Sequence, residues 1–379
     1  MIFEALMPLA IWALALSLVL YGSWLCKKHF ESRPPRLDAP FGLYPVSVLK
    51  PLKGADHDLR KNLETFFKLD YPEYELIFSV ANYSDPARSV VEELIERYPK
   101  IDARLIVGQV LVGPNPKVNN LVLSYEHAKY DLLLISDSNT VVKNDFLKRL
   151  VAHLENGVGI ITAVVAGRAP KGLGANLEAV YLNTFYARGM QLAAAFGNPC
   201  VVGKVMLFRR STSDRFGGIK ALGKYLAEDY MAGEAMQHLG LRVALMTDPI
   251  IQPLGEFGFS TFWSRHIRWG RIRKAQAPLA FLLEPLSNSI LSGLIGAMAA
   301  ANAFGMPGTG FFALHMCVWF LCDLMVMRRM NPGVEATTLF IWLLRELLAF
   351  PLWVHVASGN TVEWRGKRLR LLAGGALEQ

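Results

Sequence analysis

Residues 131–136 read DLLLIS, and DSN follows immediately at residues 137–139. An apolar run this short between polar residues is typical of a strand buried on both faces of a sheet. Asp, Ser and Asn all form turns readily, so the chain should leave the sheet at Asp137. One interpretation of Asp137 is a turn or a helix cap. The other is a functional carboxylate at the end of a buried strand.

Similar strands recur through the first half of the chain, and helical segments separate them. Strands are predicted at residues 44–51, 74–81, 103–107 and 131–136, and helices at residues 59–68, 85–98 and 118–128. This alternation predicts a mostly parallel sheet covered by helices on both faces. Such sheets bind ligands beyond the carboxyl ends of their strands. Asp85 and Asp137 both follow strands, so both are candidate site residues.

The middle of the chain continues the pattern with strand-like segments at residues 157–165, 201–209 and 243–247. Between the first two, residues 176–196 form a predicted helix with apolar residues at helical spacing from Leu177 to Phe185. This helix belongs either to a core or to the membrane surface, where it would line the path of a lipid.

Composition indicates a membrane protein. Among the 379 residues 52% are hydrophobic and only 19% are charged, with a mean hydropathy of +0.26. The net charge of +8 fits Lys and Arg near anionic lipid and a phosphate-bearing substrate, rather than a nucleic acid partner. The four Cys form no CxxC pair, so neither a disulfide framework nor a zinc site is predicted.

Four apolar stretches are long enough to be membrane segments. They lie at residues 7–26, 286–304, 310–327 and 337–356. The first is followed by Lys27-Lys28-His29, which predicts an uncleaved anchor with the next domain in the cytoplasm. Arg33 and Arg36 add to this basic flank, and residues 33–35 and 39–40 form a short stiff linker. The last stretch carries Arg345-Glu346, which should face the inside of a helix bundle.

The number of crossings conflicts with the charge of the C-terminus. An anchor and three further spans would place the tail outside the cytoplasm. The tail nevertheless carries Arg365, Lys367, Arg368 and Arg370, which favour the cytoplasmic side. We therefore expect one of the four stretches to be re-entrant or interfacial.

Two further motifs lie between residues 225 and 273. Ala227-Glu228-Asp229-Tyr230 offers two adjacent carboxylates at a helix start, where the helix dipole stabilises negative charge. Residues 265–269 read RHIRW, and a helix would place Arg265 and Arg268 on one face. Two guanidinium groups there suit a diphosphate, although the segment also fits a basic patch beside a membrane.

Together these motifs resemble the membrane glycosyltransferases related to ceramide glucosyltransferase, glycosyltransferase family 21. The resemblance runs nearly end to end and covers residues 48–54, 85–87, 102–105, 115–121, 128–132, 227–230 and 267–269. The family signature is three aspartates followed by (Gln/Arg)-x-x-Arg-Trp. Asp85, Asp137, Asp229 and residues 265–269 match it in order.

The resemblance implies a catalytic domain of the α/β GT-A type (nucleotide-diphospho-sugar transferase) plus α-helical transmembrane segments. It implies UDP-glucose as donor, ceramide as acceptor and the lipid bilayer as a partner. Asp229 would be the general base, and Asp137 with Asn139 would hold Mg²⁺ or Mn²⁺. The residues that it assigns to substrate binding are Asp85, Lys117, Glu228, Arg265, Arg268, Trp269, Tyr186 and Cys200.

The roles of these residues follow the parts of the two substrates. Asp85 would contact the nucleotide. Arg265 and Arg268 would bind the diphosphate leaving group, and Trp269 would lie near the acceptor. An alcohol is a poor nucleophile, so a carboxylate must take its proton as it attacks. Direct displacement with one base and no protein nucleophile inverts the anomeric centre and gives a β-glycoside.

Three positions depart from the family pattern or admit a second interpretation. Asn139 stands where related enzymes carry a second Asp, and its amide brings no charge to a metal. Tyr186 stands where ceramide glucosyltransferases carry His, on the helix that would line the acceptor site. Cys200 matches a family Cys near the acceptor but equally suits a small buried hydrophobe.

The predicted organisation is an anchor at residues 1–29, a cytosolic catalytic domain at residues 30–280 and a C-terminal membrane bundle with a basic tail at residues 281–379. The alternative function is a lipid glycosyltransferase with a hopanoid, sterol or glycerolipid acceptor, or with UDP-N-acetylglucosamine or UDP-galactose as donor. A processive polysaccharide synthase would need more spans than this chain offers. A non-enzymatic adaptor would not need Asp229 or Arg268.

Overall fold

The computed structural model describes residues 2–35, 43–56, 58–198, 200–364 and 367–378. The expectations for Arg36, for the linker residues 39–40 and for Arg365 lie outside these residues. The described chain forms two compact units. We call Ser32–Val165 with Phe196–Pro253 the sheet unit, and Met1–Glu31, Ala166–Ala195 and Leu254–Glu378 the helical unit.

The secondary structure alternates in the first half of the chain and is mainly helical in the last third. The α-helices are α1 (Ile2–Glu31), α2 (Leu59–Phe67), α3 (Ala87–Arg97), α4 (Pro116–His127), α5 (Phe146–Val151), α6 (Gly172–Tyr181), α7 (Ala187–Ala195), α8 (Arg210–Ser213), α9 (Glu228–His238), α10 (Phe259–Gln276), α11 (Pro278–Leu283), α12 (Ser289–Phe304), α13 (Gly308–Met330) and α14 (Thr338–Ala357). The strands are β1 (Val46–Pro51), β2 (Tyr74–Val80), β3 (Ala103–Val107), β4 (Leu132–Ile135), β5 (Val158–Lys171), β6 (Met206–Arg209), β7 (Arg242–Glu256), β8 (Thr361–Trp364) and β9 (Lys367–Arg370).

Seven strands form one sheet in the order β3-β2-β1-β4-β6-β5-β7. The pairs β1–β2, β1–β4 and β2–β3 are parallel, as predicted from the alternating pattern. Strand β6 runs antiparallel to both β4 and β5, so the sheet is mixed, with its parallel pairs in the first half of the chain. The strand order reverses at β1 and β4, and ligands bind at such a reversal in open α/β sheets. Asp137 follows β4 at this point.

The core of the sheet unit lies between the sheet and its helices. Helix α4 buries Val118, Leu121, Val122 and Tyr125, which recur at helical spacing and form one stripe against β1, β2 and β4. The start of α4 is capped by Asn115, whose side-chain oxygen accepts hydrogen bonds from the backbone N–H groups of the next residues. This cap fixes where the first turn of α4 points.

Within the described residues, the helical unit contains three helices that are long and apolar enough to cross a membrane. They are Leu6–Glu31, Gly308–Met330 and Thr338–Ala357, which confirms three of the four predicted stretches. The fourth stretch falls in a bent pair of segments, Pro278–Ser287 and Ser289–Phe304, which meet at 66°. This bend identifies the stretch at residues 286–304 as the one that departs from a straight span.

The charged pair in α14 faces inward, as predicted. Arg345 is 6% exposed and Glu346 only 1%, and the two form an ion pair. The Glu346 carboxylate also accepts hydrogen bonds from the Asn288 side chain and from both the backbone N–H and the hydroxyl of Ser289, at 2.8–3.1 Å. A second buried ion pair joins Arg188 to Asp323 in the same unit.

The predicted helix at residues 176–196 is present, but it contains a π-helical turn. Helix α6 ends at Tyr181, residues Leu182–Tyr186 form the π turn, and α7 continues from Ala187. Leu177, Val180 and Tyr181 are buried, which favours the interpretation as a core helix. The C-terminal tail forms an antiparallel hairpin of β8 and β9 that the sequence did not predict.

Candidate active site

A single lysine joins two of the predicted acidic residues in the sheet unit. The Lys117 Nζ lies 2.7 Å from Asp137 Oδ1 and 2.7 Å from Glu228 Oε1. Lys117 belongs to the first turn of α4, Asp137 to the loop after β4, and Glu228 to the start of α9. Three segments that are far apart in the sequence therefore meet at one ammonium group.

The Asn115 side chain contacts both the Lys117 backbone and the Glu228 carboxylate. Its side-chain oxygen caps α4 by accepting from the Lys117 backbone N–H at 2.9 Å. Its Nδ2 donates to Glu228 Oε2 at 3.0 Å and to the Tyr225 carbonyl at 2.7 Å. One amide thus orients both the lysine-bearing helix and the buried carboxylate of Glu228, which is 4% exposed.

Asp229 sits beside this cluster and is fixed by backbone donors. Its Oδ2 accepts from the Gly203 N–H at 2.7 Å, and its Oδ1 accepts from the Tyr230 N–H at 2.9 Å. Burial and the neighbouring charge of Glu228 raise the pKa of Asp229 to about 6, although Lys117 opposes the rise. A carboxylate with a raised pKa is a stronger base than an ordinary one.

Gly203 shows how closely these groups approach each other. A Cβ at this position would lie 2.4 Å from Lys117 Nζ and 3.4 Å from both Asp137 Oδ1 and Asp229 Oδ2. Any side chain would therefore push the lysine away from the acids. The predicted strand at residues 201–209 is wrong for its first half, because Val202 and Val205 pair across a turn that contains Gly203.

The positive charges of two lysines stabilise the ionised form of Asp137. Burial alone would raise its pKa, but the charges of Lys117 and Lys204 outweigh burial and lower the pKa well below its usual range. The Lys204 Nζ lies 2.7 Å from Asn139 Oδ1 and 3.8 Å from Asp137 Oδ2. One cation position therefore lies within reach of both predicted metal ligands.

The oxygen atoms of Asp137 and Asn139 fit a metal ion whose remaining ligands come from water and substrate phosphates. Asp137 and Asn139 supply hard oxygen atoms around a position that already holds an ammonium group. No cluster of three or more His, Cys, Asp or Glu side chains that could hold a metal occurs in the described part of the chain. Mg²⁺ commonly binds through one or two carboxylates and completes its shell with water and substrate phosphates.

The loop that carries Asp137 is tied to the sheet by Lys50. This side chain is fully buried, and its Nζ donates to the Asp137 carbonyl at 2.7 Å and to Thr140 Oγ1 at 3.1 Å. It also lies 3.7 Å from the centre of the Phe66 ring. Burial lowers the pKa of Lys50 well below its ordinary value.

Asp85 has local partners in the same unit. Both of its carboxylate oxygens accept from the Gly54 N–H, at 2.9 and 3.2 Å, and Oδ1 also accepts from the Ala87 N–H at 3.0 Å. The carboxylate therefore joins the loop after β1 to the start of α3. Its contact with a nucleotide stays a prediction.

In the helical unit, the RHIRW motif lies on a helix as predicted, within α10. Arg265 pairs with the fully buried Glu178 at 2.9 Å, and its guanidinium lies 5.3 Å from the centre of the Trp269 ring. Tyr181 is at the centre of the aromatic groups here, with its ring 6.3 Å from Trp269 and 6.2 Å from Tyr186. Arg268 lies on the same helix.

The structure thus groups the candidates in two sets. Lys117, Asp137, Asn139, Glu228 and Asp229 come together in the sheet unit, whereas Arg265, Trp269 and Tyr186 come together in the helical unit. Cys200 belongs to the sheet unit and is partly buried.

Sequence reasoning did not assign Lys50, Asn115, Gly203 or Lys204 to the site. Asn115-Pro116 ahead of a helical segment is a helix-start signature, so the cap was open to prediction. A glycine inside an apolar run also signals a break in a strand, which Gly203 provides. Nothing local to Lys50 or Lys204 indicates which loop each would meet.

Comparison with known proteins identifies the family of this chain. The family model described as Glycosyl transferase family 21 matches residues 8–377. Ceramide glucosyltransferase 3 of Caenorhabditis elegans is 32% identical over 338 residues, which cover 88% of this chain and 74% of that protein. Ceramide glucosyltransferase of Komagataella phaffii is 28% identical, with coverage of 95% and 89%.

A solved structure supports the fold. The mannosyltransferase PcManGT from Pyrobaculum calidifontis, in complex with GDP-Man and Mn²⁺, matches with a TM-score of 0.51 at 17% identity. The match covers 90% of this chain and 98% of that one, which confirms the GT-A-type fold. With a family model that spans almost the whole sequence, the chain belongs to glycosyl transferase family 21 and is a membrane-bound glycosyltransferase.

Proposed function

We propose that this protein transfers glucose from UDP-glucose to the primary hydroxyl of ceramide with inversion, giving β-glucosylceramide. The observation that carries the proposal is the cluster of Asp137, Glu228 and Asp229 around Lys117. A carboxylate beside these charged groups supports a general base next to a nucleotide diphosphate. The relatives named as ceramide glucosyltransferases support the choice of substrates.

In this mechanism Asp229 takes the proton of the lipid hydroxyl as the oxygen attacks the anomeric carbon. Hydrogen bonds from the Gly203 and Tyr230 N–H groups hold the carboxylate in one orientation. A single base acts without a covalent intermediate, so the α-linked donor gives a β-linked product. Glu228 acts on Asp229 through its charge, which raises the pKa of the base.

The other predicted residues act on the donor and the acceptor. Asp137 and Asn139 would hold a divalent cation, which supplies charge stabilisation to the departing diphosphate. Arg268 and Arg265 would bind the diphosphate leaving group through bidentate hydrogen bonds. The remaining assignments are Asp85 and Lys117 to the donor, and Trp269, Tyr186 and Cys200 to the acceptor. The basic flank of α1 supports a sheet unit that faces the cytoplasm.

Removing divalent metal should suppress activity. The Lys204 ammonium at Asn139 is a cation that a metal can displace, and an Asn in place of a second Asp should make metal binding weak. We expect turnover to fall at least tenfold in excess EDTA and to return with Mg²⁺ or Mn²⁺. Full activity in EDTA would instead assign the diphosphate to lysine and arginine side chains alone.

The activity should depend on pH through Asp229. Because the base must be ionised, kcat/KM should fall as the pH drops through about 6, the raised pKa of this group. Glu228→Gln removes the like charge that raises this pKa, so the acid limb should move to lower pH. A pH profile measured on both proteins checks the prediction. If the acid limb stayed at the same pH in Glu228→Gln, the charge of Glu228 would not be what raises the pKa of Asp229.

The proposed function is tested by an assay of UDP release from the detergent-solubilised protein. UDP-glucose, UDP-galactose and UDP-N-acetylglucosamine are each offered with ceramide, diacylglycerol or a hopanoid polyol. We expect UDP-glucose with ceramide to react fastest and the product to be a β-glucoside by NMR. A faster reaction with another pair would replace the proposed substrates, and an α-linked product would refute inversion.

A further inference from the structure

A cleft in the helical unit combines an apolar wall with a buried polar atom. It lies between α6, α10, α11 and α14. One side is apolar and is formed by Phe262, Phe281, Leu352, Trp353 and Val356. The rings of Phe281 and Trp353 stack at 5.3 Å, and the Trp353 indole N–H donates to the Phe281 carbonyl. This side is therefore a preformed aromatic and aliphatic wall.

The other side of the cleft is polar, and its arginine side chains form ion pairs with carboxylates. Arg273 binds Glu284 through two nitrogen atoms, at 2.9 and 3.3 Å, and also donates to the Tyr181 hydroxyl at 3.2 Å. Arg345 pairs with Glu346. Each arginine in the lining therefore has a carboxylate partner, so the cleft offers no excess positive charge to a phosphate headgroup.

His266 contributes a buried ring nitrogen that could accept or donate a hydrogen bond to a ligand. Its side chain lines the cleft and is only 3% exposed, and its Nε2 has no hydrogen-bond partner among the described residues. Burial and the nearby charges of Arg273, Arg265 and Arg345 lower the pKa of His266, so the ring is neutral. A buried ring nitrogen without a partner is costly, and a ligand hydroxyl or amide would satisfy it.

We propose that this cleft binds one molecule of a neutral lipid, with a hydroxyl or amide of its headgroup on His266 and its hydrocarbon against the wall at Trp353. Helix α14 is a candidate membrane span, and α11 exposes Leu279 and Leu282 beside Phe281. These leucines offer the hydrocarbon chain an apolar path. That the bound lipid is the acceptor rests on the proposed function; the binding itself does not.

The first test is photo-crosslinking of the full-length protein in nanodiscs, without UDP-sugar. The probe is ceramide with a diazirine in its acyl chain, and mass spectrometry maps the labelled peptides. We expect labels on α11 and α14 that unlabelled ceramide removes and phosphatidylserine does not. Labels confined to other helices, or equal competition by phosphatidylserine, would overturn the proposal.

The second test fills the cleft. Ala349→Phe places a ring among the lining residues of α14, whereas Leu347→Phe changes a side chain on the same helix that is 55% exposed. Ala349→Phe should abolish the label and raise the KM for ceramide roughly tenfold or more, with the KM for UDP-glucose unchanged. Leu347→Phe should match the wild type. Wild-type labelling and wild-type KM in a folded Ala349→Phe protein would refute the site.

The two tests separate the site from the reaction. His266→Phe keeps the ring and its packing but removes Nε2, so it should weaken labelling if the headgroup binds there. If Ala349→Phe does not fold, the crosslinking map of the wild type decides by itself. Labels in the cleft without turnover of any UDP-sugar would support the lipid site but refute the proposed function. Turnover with labels elsewhere would refute the cleft alone.

Discussion

Asp229→Asn is expected to slow glucosyl transfer by about a hundred- to ten-thousand-fold while UDP-glucose still binds. The amide oxygen can still accept the hydrogen bond from the Gly203 N–H, so the local structure should persist. The amide cannot take a proton from the lipid hydroxyl. The loss should therefore appear in kcat rather than in donor affinity.

Two measurements check this expectation. Steady-state UDP release gives kcat, and isothermal titration gives the affinity for UDP-glucose. Asp102→Asn is the matched control, because Asp102 is an exposed carboxylate of the same unit that pairs with Lys129 at the surface. A rate within tenfold of the wild type in Asp229→Asn would remove the role of general base.

Lys117→Met should be the second most damaging change, with a loss of about a hundredfold. Methionine keeps the unbranched shape of the side chain but leaves Asp137, Glu228 and Asp229 without the cation between them. Since Lys117 opposes the rise in the pKa of Asp229, that pKa should climb further in the variant. The acid limb of the pH profile should then move to higher pH, opposite to its shift in Glu228→Gln.

The control for this change is Lys129→Met, which removes an exposed lysine from an ion pair with Asp102. It should leave both the rate and the pH profile unchanged, because an exposed ion pair contributes little. If Lys117→Met kept the wild-type acid limb, Lys117 would have no electrostatic influence on the base. A normal rate with a shifted limb would place Lys117 near Asp229 but outside catalysis.

Much of the sheet unit was predictable because its strands are short, apolar and bounded by strong signals. The apolar run at residues 103–107 is strand β3, and Pro51 ends β1. Strand β7 extends to residue 256, well beyond the predicted segment at residues 243–247. The strand contains Pro249 and Pro253, which it can accommodate because β7 lies at the edge of the sheet, where a missing N–H is tolerated.

The acidic residues of the site could be predicted from the sequence more readily than its lysines. Asp137 and Glu228 stand at places that local rules pick out, the end of a buried strand and the start of a helix. Lys204 and Lys50 act through partners about 65 and 87 residues away along the chain. Local patterns carry no information about such contacts, which depend on the strand order of the finished sheet.

The π-helical turn at Leu182–Tyr186 has a consequence for any shortening of this segment. A π turn holds more residues per turn than an α-helix, and each residue of an α-helix turns the chain by about 100°. Deleting one residue from the turn would swing Arg188 around the axis and away from Asp323, to which it is bound. An uncompensated aspartate would then stay buried on α13, a candidate span, where a lone charge is most costly. The length of this turn and the charge on α13 can therefore change only together.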